Sequence, residues 1–323
     1  MMDLGRLRAL HAVAVHGSVG RAAAALGYTP SAISQQITKL ERETRTPLLE
    51  KRGRGVVLTD AARDLAATAE QVLALVESAE VSLEQRRGRV SGRLVLASFA
   101  TAARGLLPGV LADLSRRYPE LEPRLLESDP YLMGDLVARG EIDLAVVGDW
   151  PNTPLPMVEG LARLHLGEDE VDVLLPSAHP LAALPALSAK DLVGQPWTSG
   201  PPGTICHEWL VRTMREVGEE PDIRYQAAEF ETQIALIGTG LGIGLVPRMG
   251  RGALPAGVVA RPLRPGPMRR VFALWREQAS RRPAIEAALA SLQEQWPRRR
   301  SAGEADDQPH EAAAGDGAQQ GRA

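Results

Sequence analysis

The sequence predicts an α/β protein with a winged-helix N-terminal domain, a long linker helix, and a larger doubly wound α/β domain made of two similar subdomains. Three observations support this prediction. Residues 1–59 show two short helices and a hairpin pattern, residues 60–87 contain no glycine or proline, and strand and helix patterns alternate after residue 92. At 323 residues the chain is too long for one ordinary core, and 44% hydrophobic residues suffice for globular folding.

The first two helices are predicted from apolar spacing and from a capping residue. Leu4–Val15 places its apolar side chains where they can pack on a following helix pair. Ser18–Leu26 begins at a serine, a residue type that caps helix N-termini, and Gly27 with Tyr28 closes a turn after it. A third helix is expected directly after this turn.

The third helix, Thr29–Glu43, has a clear apolar stripe. Ile33, Ile37 and Leu40 fall at i, i+4 and i+7, and polar side chains occupy the other faces. Thr29 suits the capping position, and Pro30 suits the first helical position because its missing N–H costs nothing there. Two short helices joined by a tight turn, the second with exposed polar side chains, form a helix-turn-helix, although such pairs also occur in ordinary globular cores.

A basic hairpin pattern follows this helix pair. Two short apolar stretches, Pro47–Leu49 and Val56–Thr59, flank Glu50–Gly55, which contains glycine, lysine and arginine. A hairpin with arginines at its tip can reach phosphates or a minor groove, as the wing of a winged helix does. The candidate DNA-binding residues are Thr29, Pro30, Ser31, Ser34, Gln35, Lys39, Arg52 and Arg54.

Charge and cysteine content agree with a cytoplasmic protein that meets a polyanion through its N-terminal part. Residues 1–58 carry nine Arg and Lys against four acids, which is a net charge of +5. Because the whole chain has a net charge of −3, the remainder carries −8, and only the N-terminal part can attract a polyanion. Cys206 is the only cysteine, so an intrachain disulfide is excluded and a reducing compartment fits. A signal peptide is not expected, because Asp3 stands where such a peptide carries positive charge. No uninterrupted apolar run has the length of a membrane-spanning helix, so no membrane partner is expected.

Residues 1–59 resemble the N-terminal domain of LysR-type transcriptional regulators. The resemblance is carried by LRAL, by GSVGRAAAALGYTPSAISQQITKLE through the helix pair and by PLLEKRGRGVVLT in the wing. Departures occur at Pro30 and Ser31, where the family often has Gln-Pro, and at Leu10, Val19 and Leu49, where aromatic residues are usual. Arg45 replaces the glycine that usually ends the recognition helix, so it either adopts a left-handed conformation or ends the helix differently. These departures leave the fold intact, but the bases read by the family do not carry over.

Residues 60–87 are predicted to form a linker helix that dimerises, capped by Thr59 or Asp60. Apolar side chains spaced 4-3-4-3-4 are typical of a coiled-coil seam; they are Leu65, Ala69, Val72, Val76, Ala79 and Leu83. The same stripe can instead lie on the helix's own domain. Pairing is favoured because a dimer presents two recognition helices to two half-sites, and the resemblance also implies a dimerising linker.

The region after the hinge 88–92 is predicted to be an α/β domain over 93–297, with subdomain I at about 93–163 and 269–297 and subdomain II at about 164–268. The predicted strands are Arg93–Ser98, Glu122–Glu127, Ile142–Val147, Val171–Leu175, Trp197-Thr198, Ile223–Ala227, Gly242–Val246 and Arg270–Trp275. The predicted helices are Ala102–Tyr118, Tyr131–Arg139, Ile205–Val217, Glu231–Gly238 and Arg281–Trp296. This alternation indicates a parallel sheet, and residues 298–323 are predicted to be a disordered tail.

This region resembles the effector-binding domain of the same family, whose fold is like that of type II periplasmic binding proteins. The resemblance is carried by ASFATAARGLLPGVL, LVARGEIDLAVV, VDVLLPSAHPLA and ALIGTGLGIGLVP. It implies a homodimer or homotetramer that binds double-stranded promoter DNA and responds to a small-molecule effector in the cleft between the subdomains. No cofactor is expected.

Candidate effector contacts follow the ends of the predicted strands, where ligands of open α/β sheets bind. The Thr101 hydroxyl and the Ala102 amide follow the first strand and can hold a carboxylate, and the matching family position contacts effectors. The full set is Thr101, Ala102, Ser128, Asp129, Pro130, Gly148, Thr198, Ser199, Thr204 and Cys206, each of which also suits a cap or turn. No arginine of the kind the family sometimes places at the cleft is evident, and Asp129 and Asp149 disfavour a plain dicarboxylate, so an amino-bearing or neutral ligand stays open.

The sequence shows no catalytic or metal-binding constellation. The glycine-rich stretch Gly238–Gly244 follows a helix and precedes a strand, which is the wrong order for a phosphate-binding loop. The six histidines lack metal-ligand spacing, so no metal, cofactor or enzyme activity is expected. Two alternatives remain open: a DNA-tethered enzyme, and a thiol-based redox sensor that uses Cys206 beside His207 but lacks a second cysteine.

Overall fold

The computed structural model describes residues 2–52 and 55–304, in which a helical N-terminal domain precedes a larger α/β domain. The N-terminal elements are α1 (Leu4–His16), α2 (Val19–Leu26), α3 (Pro30–Thr44), β1 (Leu49–Arg52), β2 (Gly55–Leu58) and the long helix α4 (Asp60–Arg87). The helix-turn-helix, the antiparallel hairpin and the unbroken linker helix are therefore confirmed.

Helix α3 forms where its capping signals and apolar stripe predict it. The Thr29 hydroxyl accepts a hydrogen bond from the Ala32 amide at 3.2 Å, and the side chains of Ile33, Ile37 and Leu40 are buried. Arg45 ends the helix with φ of 52°, so the chain adopts the left-handed conformation without the usual glycine.

Two polar side chains fix the hairpin to the helices. The Glu41 carboxylate in α3 accepts hydrogen bonds from the amides of Leu48 at 2.8 Å and Leu49 at 3.1 Å. Thr59 accepts from the amide of Ala62 at 3.1 Å, which makes it the cap of α4. The hairpin therefore has a defined orientation relative to α3.

Helix α4 uses the first half of its predicted seam within its own chain. Ala69 is buried in the core of the N-terminal domain, and Leu65 and Val72 pack against the same core. Leu83 is 57% exposed, and Ala79 is also exposed. The prediction of one continuous seam from Leu65 to Leu83 thus needs correction, because the stripe divides between the helix's own domain and solvent.

The α/β domain contains a mixed sheet of seven strands in the described part of the chain. Its strands are β3 (Gly92–Ser98), β4 (Leu121–Glu127), β5 (Leu144–Asp149), β6 (Leu161–Pro176), β9 (Gly244–Pro247), β10 (Val258–Pro262) and β11 (Met268–Arg276), while β7 (Pro196–Ser199) pairs with β8 (Asp222–Gln226). Strand β3 runs parallel to β4 and β5, and β7 runs parallel to β8, as predicted. The expectation of an entirely parallel sheet is wrong, because β6 and β11 are antiparallel to each other and β11 is antiparallel to β5.

The helices of this domain are α5 (Ala100–Gly105), α6 (Leu107–Arg117), α7 (Pro130–Ala138), α8 (Ile205–Arg215), α9 (Phe230–Gly238) and α10 (Pro283–Glu304). The single helix predicted over Ala102–Tyr118 is wrong, since the chain breaks at Leu106 with φ of −125° and ψ of −51°. Gly105, the last residue of α5, allows the backbone of Gly250 to approach closely, because an added Cβ would lie 2.5 Å from the Gly250 amide nitrogen. Helix α10 also extends seven residues past the predicted end of folded structure at residue 297.

The α/β domain contains three hydrophobic clusters in its described residues. One packs α5, α6, α7 and α10 against β3 and β5, the second surrounds Trp150, Trp197 and Trp209, and the third packs α9 against β6, β9 and β10. The first cluster and the other two, with β6 contributing to both sides, give the two-subdomain architecture that the sequence predicts. Within the described residues, no helix combines the length and apolarity required to cross a membrane.

Candidate functional site

The polar face of α3 presents its candidate DNA-binding residues to solvent. These residues are Thr29, Pro30, Ser31, Ser34, Gln35 and Lys39, and all are exposed. The stripe from Ile33 to Leu40 is buried on the opposite side of the helix. Burial of one face against the domain core holds the other face in a fixed orientation, as groove reading requires.

The hairpin places one further candidate at its tip. Arg52 ends β1 directly opposite Gly55, at the last residue pair before the turn. Arg54 lies outside the described residues. Together, the tip and the exposed face of α3 form the candidate DNA-contacting surface.

The cleft of the larger domain contains a buried arginine that sequence reasoning missed. Arg269 is 3% exposed, and its Nη2 donates to the Thr101 hydroxyl at 2.8 Å and to Asp169 Oδ2 at 2.5 Å. Its guanidinium carbon also lies 4.4 Å from the centre of the Phe99 ring. Thr101 is therefore buried against Arg269, and its hydroxyl oxygen already accepts from this cation.

The environment of Arg269 explains two neighbouring residues. Arg269 and Asp169 face each other across the β6–β11 pair, and the other oxygen of Asp169 accepts from the Met249 amide at 2.9 Å. A Cβ on Gly148 would lie 3.1 Å from Arg269 Cδ and 3.3 Å from a Phe99 ring carbon. Gly148 thus provides space for the arginine side chain and the Phe99 ring.

A signal for Arg269 was present in the sequence. Adjacent residues of a strand point to opposite faces, so two consecutive arginines in β11 cannot both face solvent if one face is covered. Arg269 is the buried member, and Arg270 points the other way and donates to Asp149 at 2.9 Å.

The proposed anion site at a helix end is not supported. Helix α5 has only six residues, and the Ala102 amide donates to the Phe99 carbonyl at 3.0 Å. Because this amide is used within the turn, the expectation that Thr101 and Ala102 together hold a carboxylate is wrong for Ala102. The Thr101 hydroxyl remains available as a donor.

Asp129 and Asp149 are used by the protein. Asp129 caps α7 by accepting from the Tyr131 amide at 3.0 Å and also accepts from the Ile205 amide of the other subdomain; burial raises its pKa. Asp149 accepts from Arg270 and from the Leu155 amide at 3.1 Å. The inference that these carboxylates select against an acidic ligand therefore loses its basis.

Other candidates have structural partners as well. Thr198 donates to the Ile243 carbonyl at 3.2 Å, and Thr204 donates to the Pro201 carbonyl at 2.7 Å. Ser128 follows β4 and its amide donates to the Ser98 carbonyl at 3.1 Å, while Pro130 is the first residue of α7. Hydroxyls that already donate to carbonyls can contact a ligand only as acceptors.

Cys206 lies at the N-terminal end of α8 beside the cleft. Burial raises the pKa of its thiol to about 11, despite the opposing field of Arg269. A thiol with this pKa is almost entirely protonated near neutral pH, and the thiolate is the reactive species. This argues against the redox-sensor alternative.

A small cavity opens beside this cluster. It is lined by Trp150, Thr198, Ser199, Gly200, Cys206, Trp209, Leu210, Phe230, Gln233, Leu245 and Pro247. Its volume is about 10 Å³, which is space for roughly one water molecule. Of the predicted effector contacts, Thr198, Ser199 and Cys206 line the cavity, and Arg269, which was not predicted, is close enough to Cys206 to act on its thiol electrostatically.

Comparisons with known proteins identify the family. A family described as bacterial regulatory helix-turn-helix protein, lysR family, matches residues 4–63, and one described as LysR substrate binding domain matches residues 87–297. A probable HTH-type transcriptional regulator, LrrA, from Synechococcus elongatus is 29% identical over 94% of this chain and 100% of that protein. A probable RuBisCO transcriptional regulator from Cyanophora paradoxa is 33% identical over 59% of this chain, and the match spans 58% of that relative's length.

Solved structures agree on the fold. Full-length OxyR from Pseudomonas aeruginosa aligns with a TM-score of 0.68 and 22% identity, covering 90% of this chain and 95% of that chain. OxyR from Corynebacterium glutamicum aligns with a TM-score of 0.58 and 25% identity, covering 94% and 96% of the two chains. Both recognised regions together span most of the sequence, and the chain belongs to the LysR family of bacterial helix-turn-helix regulatory proteins.

Proposed function

We propose that this protein is a transcriptional regulator that binds promoter DNA through α3 and the hairpin, and that a small molecule in the cleft modulates this binding. The observation that carries the proposal is the exposed polar face of α3, held on a buried apolar stripe in the basic part of the chain. Its relatives are named as transcriptional regulators.

The assembly we propose is a homodimer formed through the exposed part of α4, or a homotetramer of two such dimers, in the cytoplasm. Leu75 is 71% exposed and Leu83 is 57% exposed, which is costly for large apolar side chains on an isolated helix. A second copy of α4 would cover them and would place two α3 helices for two half-sites.

The division of labour that we propose follows the predicted boundaries. Residues 1–59 bind DNA, 60–87 link and dimerise, 88–92 form a hinge and 93–297 bind the ligand. Because the cavity holds only about one water molecule, ligand entry requires the two subdomains to separate. Such a movement about β6 and β11 would connect ligand binding to the linker helix.

The experiment compares Gln35→Ala with Gln293→Ala on a DNA site selected by the wild-type protein from a random library. Gln35 is exposed on α3 and Gln293 is exposed on α10, so the same change is made inside and outside the proposed surface. Loss of a bidentate base contact should cost about 1–3 kcal/mol on the selected site and nothing on random DNA. Gln293→Ala should bind like the wild type.

A second pair separates base reading from phosphate contact. Arg52→Ala and Arg54→Ala should weaken binding to all sequences and lower the salt slope by about one each. If Gln35→Ala weakens selected and random DNA equally, α3 does not read bases through this residue.

A further inference from the structure

Two neighbouring side chains carry buried donors without partners. In the described part of the chain, the buried side-chain nitrogens that lack a hydrogen-bond partner are Arg6 Nε, Trp150 Nε1 and Arg269 Nε. The Arg269 guanidinium carbon lies 5.9 Å from the centre of a Trp150 ring, so the side chains that carry two of these three donors are neighbours. Buried donors are nearly always paired in folded proteins, so this pair requires an explanation.

The Trp150 indole is held rigidly. Its ring stacks on Trp209 with centroids 4.1 Å apart and planes 14° apart. Its backbone exchanges hydrogen bonds with Thr153 at 3.3 and 2.9 Å, and the side chain is fully buried. Because neither ring nor backbone can turn freely, the N–H points in a fixed direction, and an indole N–H can only donate.

The surface around this donor is largely apolar. Trp150 lines the small cavity together with Trp209, Phe230, Leu245 and Pro247. Pockets of this kind hold apolar bodies and use a few polar groups to orient them. A group that pairs with Trp150 would therefore be the polar end of an apolar molecule.

The charge balance limits how much charge that polar end can carry. Arg269 pairs with Asp169, and Asp149 pairs with Arg270. The Nε–H of Arg269 nevertheless remains unused, and it is a charge-assisted donor that strengthens a bond to a carboxylate. The Arg269–Asp169 pair carries no net charge, so a carboxylate at this donor would be held by hydrogen bonds from the guanidinium and the indole. A second charged group would lie against the apolar wall of the cavity.

Building on the proposed function, we propose that the effector is a compact monocarboxylate with an apolar body, whose carboxylate accepts hydrogen bonds from Trp150 Nε1 and Arg269 Nε. An amine would place donors against donors, which excludes the amino-bearing ligand that the sequence left open. A dicarboxylate would bury a second charge without a partner. The Thr101 hydroxyl oxygen accepts a hydrogen bond from the same arginine, so its proton can donate to the same carboxylate.

The test is calorimetric titration of the full chain with four probes that share one ring: benzoate, benzamide, benzylamine and phthalate. Benzoate is expected to bind, benzamide to bind at least about tenfold more weakly because it lacks the charge, and the other two to give no binding heat. This comparison uses only the wild-type protein, so it does not depend on the folding of any variant.

A matched pair of variants tests the donor itself. Trp150→Phe keeps an aromatic ring and removes the N–H, and it should weaken benzoate binding by about ten- to a hundredfold, the value of one hydrogen bond to a charged group. Trp275→Phe is the control, because the Trp275 N–H already donates to the Ser280 hydroxyl at 2.9 Å and Trp275 is not among the residues that line the cavity. Its benzoate affinity should equal that of the wild type.

Three results would overturn the inference: no binding of benzoate, tighter binding of benzylamine or phthalate, or equal benzoate affinity in Trp150→Phe and the wild type. Selected and random DNA are compared with the same preparations. If the protein still prefers its selected site while benzoate fails, only the ligand class is wrong. If it shows no preference between DNAs, the proposed function is wrong whatever the probes do.

Discussion

The ion pair between Arg269 and Asp169 should show strong energetic coupling, because both side chains are 3% exposed or less. Arg269→Met removes the cation that pairs with the buried Asp169 carboxylate, whose other oxygen accepts from the Met249 amide. Breaking a buried pair in this way costs about 3–5 kcal/mol. Asp169→Asn keeps an acceptor for that amide but leaves the guanidinium without its counter-ion, so a cost of about 3 kcal/mol is expected.

The double variant removes both charges together. Its free energy of unfolding should lie well above the value expected from adding the two single losses, by at least about 2 kcal/mol. A neutral pair of similar size in a buried site often costs little, which is why the two losses do not add.

Tryptophan fluorescence during urea unfolding provides the assay. All five tryptophans lie between residues 150 and 296, so their signal reports on the α/β domain and not on the N-terminal domain. The full chain is used, and the transition midpoint and slope are compared across the four proteins. Additive losses in the double variant would show that Arg269 and Asp169 do not form a tightly coupled buried pair.

Two further predictions concern assembly and pH. Leu83→Glu should weaken the dimer in sedimentation experiments, because it places like charges in the proposed contact between α4 helices. The control is Leu132→Glu on α7, where the leucine is 58% exposed, and it should leave the dimer unchanged. If both variants sediment like the wild type, this part of α4 does not form the interface. Asp113 accepts hydrogen bonds from Arg117 at 2.9 Å and from Ser291 at 2.9 Å. Burial opposes ionisation of this carboxyl, but its hydrogen bonds and the Arg117 charge lower its pKa below the ordinary 3.8. The ionised carboxylate therefore stabilises the fold above pH 3.8, and this stabilisation is lost as pH falls through the lower folded-state pKa, so Asp113→Asn should cost about 1–3 kcal/mol at pH 7 and progressively less below pH ~4. A difference in melting temperature that stays constant down to pH ~2 would contradict this.

The N-terminal domain could be predicted closely because its signals are local. The cap at Thr29, the stripe of Ile33, Ile37 and Leu40 and the spacing of the hairpin each act over a few residues. The left-handed helix end at Arg45 is one of the two outcomes that the sequence allows, because no glycine is available there.

The cleft was harder to predict because its key contact joins distant parts of the chain. Thr101 and Arg269 are 168 residues apart, and only the return of β11 beside β6 brings them together. Side chains at strand ends were predicted as ligand contacts, yet Asp129 caps a helix and Asp149 pairs with an arginine. Local sequence shows that these groups need partners, but it does not show whether the partner is protein or ligand.

The long strand β6 illustrates the same limit. Only Val171–Leu175 was predicted as a strand, because four of its five residues are apolar, and the structure buries all five. After Leu161, the first half alternates mainly between partly buried and exposed positions, and it pairs with β11 in a register interrupted near Val271. Strand structure there depends on the partner strand, which local patterning does not reveal.

Selection of binding sites from a random DNA library by the full chain tests the central claim most directly. We expect enrichment of a two-part site whose halves lie about 10–11 base pairs or a multiple of that apart. The affinity for this site should be at least about a thousandfold above that for unselected DNA at physiological salt. Equal affinity for selected and unselected DNA would contradict the claim that α3 reads sequence and that this protein acts as a transcriptional regulator.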